Sequence, residues 1–166
     1  MVEAVAANRL TTCDLHPELI MQLVTDQPEQ YPVIWQWLNK RINLPWSTDL
    51  RTMAVMRDDG TIACAVAFNA WTSSACWMHV AFDGHHGIKR SLWHAAFEYP
   101  FVTCGLEAVY GLTPKNLDDA LKMNQRLGFR KVAETIDCVM FEMTVNECRW
   151  LKGVKHGRQS ISTSST

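Results

Sequence analysis

The 166 residues contain no apolar run approaching the length of a membrane-spanning helix. Met1–Leu10 carries Glu3 and Asn8 where an export signal needs an apolar block, so neither a membrane protein nor an exported one is expected. Charge of one sign is not in excess. Sixteen Lys+Arg against 17 Asp+Glu leave a formal charge of −1, which argues against a basic nucleic-acid binder. With 48% hydrophobic residues, the composition also argues against a disordered chain. The cysteines Cys13, Cys64, Cys76, Cys104, Cys138 and Cys148 are scattered, with no C-x-x-C. They read as small core residues of a cytoplasmic protein rather than as disulfides or metal ligands. G-x-S-x-G, a full P-loop, a Rossmann glycine triplet and internal repeats are all missing. His79, His85, His86 and His94 lie close in sequence, but no Cys or carboxylate pair completes a zinc spacing, and no metal is expected.

What is present suits one domain over residues 1–150, followed by a flexible basic Ser/Thr-rich tail over 151–166. That tail is read as starting near Trp150 and carries Lys152, Lys155 and Arg158 without an acid. Residues 2–12 suit an edge strand. His16–Thr25 has a proline near its start and apolar residues at helical spacing, which predicts a short helix. Pro28 and Pro32 interrupt, and Val33–Ile42 predicts a second helix with Ile34, Trp37, Leu38 and Ile42 inward and Trp35 at a rim. Met53–Met56 and Thr61–Phe68 flank Arg57-Asp58-Asp59-Gly60, a hairpin signal. Ala75–Phe82 is a third strand of this meander. Asp137–Val145 alternates with apolar residues on both faces, as in a strand covered on both sides.

Two stretches stand out. Asp83-Gly84-His85-His86-Gly87 precedes IKRSLWHAAFEY, whose Ile88, Leu92, Ala95, Ala96 and Tyr99 form an apolar stripe. A helix opening behind a glycine loop is an anion site: backbone N–H groups point outward, the dipole favours negative charge, and glycine permits close approach. Lys89 and Arg90 add positive charge at its rim. Leu106–Phe129 then reads as a strand over Leu106–Leu112, followed by a helix carrying Leu117, Ala120, Leu121, Asn124 and Leu127 on one face. Thr113 or Asn116 would cap that helix, Pro114 would sit at its start, and Asp118 and Asp119 would lie in its first turn. Gly128 would end it in a left-handed conformation, with Phe129 folding back and Arg130–Thr135 starting another strand. Spacing gives a meander followed by βαβα-type connections, hence a mixed sheet.

N-x-x-x-A-L-x-M-N-x-x-L-G-F over Asn116–Phe129 resembles the C-terminal half of Gcn5-related N-acetyltransferases. The loop at Gly84–Lys89 is similar to that family's pyrophosphate loop, with Gly87 at the central glycine. Gly84 stands where Arg or Gln is usual, and Lys89 where a second small residue is usual. The resemblance implies an α+β acyl-CoA N-acyltransferase fold: a mixed, mostly antiparallel sheet of six or seven strands flanked by about four helices. It implies acetyl-CoA as cosubstrate, with the cofactor beside Val80, Phe82, Gly84, His85, His86, Gly87, Ile88, Lys89 and Asn116. It further implies a small-molecule or protein amine as acceptor, with the first two helices bordering it. No nucleic acid or membrane partner is expected, and the assembly is read as a monomer or homodimer.

Acetyl transfer from a thioester to an amine needs a neutral amine, a donor to the oxyanion and a departing thiolate. The resemblance puts the oxyanion donor, a backbone N–H, near Val80–Phe82. His79, Glu107 and Asp83 are the candidates for a base, His79 because it titrates near neutrality unshifted. The family's usual acid is a tyrosine four residues before the L-G-F glycine, a position held here by Asn124. An amide cannot supply a proton, which leaves Tyr110 or solvent for that task. The departures at Gly84, Lys89 and Asn124 keep open a non-catalytic member of the same fold acting as a binding or assembly module.

Overall fold

The computed structural model describes residues 22–25, 27–84 and 90–151. Seven strands form one sheet: β1 Gln22–Thr25, β2 Arg51–Met56, β3 Ile62–Asn69, β4 Ala75–Phe82, β5 Ala108–Pro114, β6 Arg130–Glu134 and β7 Cys138–Thr144. Their spatial order is β1-β2-β3-β4-β5-β7-β6. Neighbours are antiparallel except β4 and β5, which run parallel. The described residues also form three α-helices: α1 Tyr31–Ile42, α2 Arg90–Glu98 and α3 Asp118–Leu127. The mixed, mostly antiparallel sheet expected from the sequence is therefore present. No described helix is long and apolar enough to cross a membrane.

The two faces of the sheet are built from different residues. Ala54, Ala65, Ala67 and Ala81 line one face, and their small side chains let α1 lie close, burying Ile34 and Leu38. Met53, Val55, Val66, Phe68, Met78 and Val109 line the other, against Leu92, Trp93, Ala96 and Phe97 of α2 and Leu127 of α3. Covered on both sides, β3 is buried from Ile62 to Phe68, which is why its sequence reads as an unbroken apolar run. The β2–β3 turn closes through Gly60, at φ +79°, whose N–H donates to Arg57 O at 2.9 Å. A parallel neighbour requires a crossover. Here it is α2 followed by a π-helical turn over Tyr99–Thr103, with Cys104 N–H donating to Tyr99 O.

α3 ends as its sequence dictates. Gly128 is left-handed at φ +105°. Its N–H donates to Gln125 O at 3.1 Å and that of Phe129 to Asn124 O at 3.0 Å, the two bonds of a Schellman closure. Phe129 then folds back against Phe97.

Several expectations are corrected. Gln22–Thr25, the described end of the expected helix over His16–Thr25, is an edge strand paired with Met53–Met56. Residues 16–21 and the expected strand over 2–12 lie outside the described residues. Pro32 does not interrupt; it occupies the first turn of α1, where a missing N–H is harmless. Ile42 is exposed. The fifth strand begins at Ala108 and continues through Pro114. Thr113 and Pro114 therefore belong to strand, and α3 starts after Leu117 without a side-chain cap from Asn116. Leu117 itself is exposed. β7 is buried on one face only, at Val139, Phe141 and Met143. Trp150 and Leu151 are packed rather than loose: Trp150 stacks on Phe97 and its Nε1–H donates to Leu127 O at 3.0 Å. The rest of the tail, 152–166, lies outside the described residues. Cys64, Cys76 and Cys148 are buried and free, whereas Cys138 is half-buried and Cys104 exposed.

Candidate functional site

The parallel pairing of β4 and β5 covers three positions, from Ala75↔Ala108 to Trp77↔Tyr110. Both strands then continue, β4 to Phe82 and β5 to Pro114, each held by its other neighbour. A notch opens between them toward their carboxyl ends, the end at which ligands of parallel strands bind. Asp83 N–H donates to Ala63 O on β3. Successive strand N–H groups point to opposite sides, so those of Met78, Val80 and Phe82 point into the notch. On β5, Glu107 O accepts from Val145 N–H and Ala108 N–H donates to Ser74 O. The backbone groups of Tyr110 and Leu112 therefore face the notch as well. Gly84 follows β4 at φ +80°, and Asn116 lies exposed in the turn after β5. His85, His86, Gly87, Ile88 and Lys89 lie outside the described residues.

Strand alternation divides the candidate side chains. Trp77, His79 and Ala81 share the face of α1, where Ala81 packs beneath Ile34 and Leu38. Tyr110 pairs with Trp77 across the parallel ladder, placing it on that face too, with ring centroids 5.9 Å apart. His79 is half-buried, and its Nε2 lies 2.9 Å from Asn69 Oδ1 on β3. Desolvation pushes its pKa down to about 4, so the ring is neutral at physiological pH. Tyr110 donates its hydroxyl proton to Glu142 Oε1 at 2.9 Å, and this bond together with burial raises its pKa. Glu142 also pairs with Arg130.

Asn124 lies on the opposite face. Its Nδ2 donates to Thr113 Oγ1 at 2.7 Å, tying α3 to β5. Thr113, at 7% exposure, is one of the two buried polar residues of the described structure. Glu107 is exposed just before β5, beyond the paired end of the ladder and away from the notch. Of the five positions considered for proton chemistry, His79 and Tyr110 thus share a face on neighbouring strands, Asn124 and Glu107 stand apart, and Asp83 lies just past the end of β4.

Asp83, at the mouth of the glycine loop, is clamped from two directions. Arg41 at the end of α1 reaches its Oδ1 at 3.3 Å, and Arg57 of the β2–β3 turn its Oδ2 at 3.1 Å. Arg57 also donates to Asp83 O at 3.0 Å. Arg41 lies over the Trp37 ring, 3.7 Å from its centroid. Asn69, Arg41, Arg57 and Glu142 escaped the sequence reading. Only Glu142 left a trace, as an acid in the middle of a largely apolar alternating strand. No group of three His, Cys, Asp or Glu side chains among the described residues could hold a metal ion.

No family model matches the sequence, and no curated protein matches it. Solved structures do. The N-acetyltransferase PseH of Campylobacter jejuni aligns over 76% of this chain and 99% of its own, at 16% identity and a TM-score of 0.56. It is also known in complex with acetyl coenzyme A, with the same coverage. A dodecameric spermidine N-acetyltransferase from Vibrio cholerae aligns over 75% of this chain and 93% of its own, at 13% identity and a TM-score of 0.61. With its β4–β5 notch and the Schellman-closed helix behind β5, the chain has the fold of the Gcn5-related N-acetyltransferases.

Proposed function

We propose that the protein transfers an acetyl group from acetyl-CoA to a primary amine by direct attack within a ternary complex. The observation that carries this reading is the notch. Two parallel strands part after three pairs and present the backbone of Val80, Phe82 and Leu112 to an extended ligand. The pantetheine arm would lie along that backbone and pass Asn116, and the pyrophosphate would rest at Gly84–Lys89. Neighbours of this fold named as N-acetyltransferases, one of them with acetyl coenzyme A bound, support the reading.

Acetyl-CoA supplies an acyl carbon already activated as a thioester. The amine nitrogen forms a bond to that carbon, the carbon–sulfur bond breaks, the nitrogen loses one proton and the thiolate gains one from water. The residues beside the notch do not suit a proton relay. His79, with a pKa of about 4, is too weak a base to hold a proton at neutral pH, and the Tyr110 proton is committed to Glu142. Catalysis would then rest on alignment and on a backbone N–H aimed at the developing oxyanion. Solvent would carry the protons, and the thiolate, a far better leaving group than an alkoxide, would depart without prior protonation.

Calorimetry with acetyl-CoA, followed by a thiol-release assay across amines, tests the proposal. Saturable binding with amine-dependent thiol release is expected. Binding without release to any amine would favour the non-catalytic module instead, and no binding at millimolar acetyl-CoA would contradict both the cofactor and the activity.

A further inference from the structure

Resting on the acetyl-transfer reading above, we infer that the acceptor is a primary amine with a flat apolar body, an arylalkylamine, seated over Trp77, Tyr110 and Leu112 rather than a polycation. The amine must reach the point where β4 and β5 part, beside Met78–Val80. On the α2 and α3 side Met78, Val109 and Phe141 are buried in a continuous core with Leu92 and Phe97 at the foot of the notch, and Val80 and Phe82 beyond them pack half-buried against that core. Among the described residues the α1 side is the more exposed: Trp77, His79 and Tyr110 are half-buried and Leu112 is 50% exposed.

The chemistry of that face is apolar, and the described carboxylates of Glu142 and Asp83 are paired with arginines. Trp77 and Tyr110 present tilted rings in contact, and Leu112, opposite Met140 on β7, extends the strip to the next position on the same face. Aromatic faces of this kind bind flat rings by stacking. Among the described residues, the carboxylates of Glu142 beside Tyr110 and of Asp83 at the end of β4 are already paired. Glu142 takes the Tyr110 hydroxyl and the Arg130 guanidinium, and Asp83 takes Arg41 and Arg57. A distal ammonium of a polyamine would meet the neutralised Glu142–Arg130 pair and the net-positive Arg41–Asp83–Arg57 cluster instead of a free carboxylate. A single amine gains from the same surroundings. An apolar site lowers the pKa of a bound ammonium and so enriches the neutral nucleophile, and the neutral His79 adds no repulsion.

Initial rates of thiol release at saturating acetyl-CoA, with tyramine and spermidine as rival acceptors, test the assignment on the full chain. The expected result is a kcat/KM for tyramine at least tenfold above that for spermidine. Leu112→Asp, at an exposed position and assayed at saturating acetyl-CoA, should shift the ratio at least tenfold toward spermidine. A wild-type preference for spermidine, or an unchanged ratio in the variant, would overturn the inference and leave the acetyltransferase reading intact. Failure of acetyl-CoA to bind would contradict both.

Discussion

His79 and Asn124 show how far the surroundings of a residue can shift its chemistry. An unperturbed imidazole titrates near neutrality, yet desolvation on the inner part of β4 pushes His79 down to about 4. The sign of the stability effect follows. Between roughly pH 6.5 and 4 the unfolded chain binds a proton at this position that the folded chain refuses, so the neutral ring favours folding above that window. Stability is lost as pH falls through the window, on the order of 3 kcal/mol in full. Urea midpoints at pH 7 and pH 5 should therefore converge in His79→Gln relative to the wild type; an unaltered difference would mean that His79 is solvated. Asn124 holds its amide to Thr113 Oγ1, which gives it a structural task on the face away from His79. Asn124→Ala should lower unfolding stability by about 1 kcal/mol and leave kcat within twofold. A tenfold loss of kcat at unchanged stability would show instead that the amide meets the leaving group.

Among the elements, α3 was the most legible in sequence and β1 the least. Gly128 could be read because its left-handed backbone, the residue after it and the stripe before it are all local features. Gly128→Ala would strain a φ of +105° and bring a methyl to 3.5 Å from Met143 Cε. A loss of about 1–2 kcal/mol in denaturant unfolding is expected, with the slope unchanged. Ala75–Phe82 was readable for the same reason, a run of strand-forming residues ended by Asp-Gly. The start of α3 was not, because Thr113, Pro114 and Asn116 all resemble capping signals and only the ladder with β7, which runs as far as Pro114↔Cys138, keeps the first two in strand. Gln22–Thr25 mimics a helical stripe and becomes a strand by pairing with Met53–Met56, thirty residues on, a contact that no local period records. The truncated β4–β5 ladder, on which the functional reading depends, was equally invisible. It is a property of two strands together.

At the scale of the whole molecule, the site is the place where one sheet almost divides. The antiparallel β1–β4 half carries α1 over its alanine face, the β5–β7–β6 half follows, and three parallel pairs join them. The Arg41–Asp83–Arg57 cluster then fixes the end of β4 to α1 and to the β2–β3 turn, so the glycine loop leaves from an anchored residue. Amide hydrogen exchange on the full chain, with and without saturating acetyl-CoA, tests most directly whether the cofactor enters this division. The account predicts several-fold slower exchange over Met78–Gly84, the loop to Lys89, and Leu112–Asn116, with β1 and β6 unaffected. Unchanged exchange along both edges of the notch in a chain that demonstrably binds acetyl-CoA, or protection confined to β1 or β6, would contradict it.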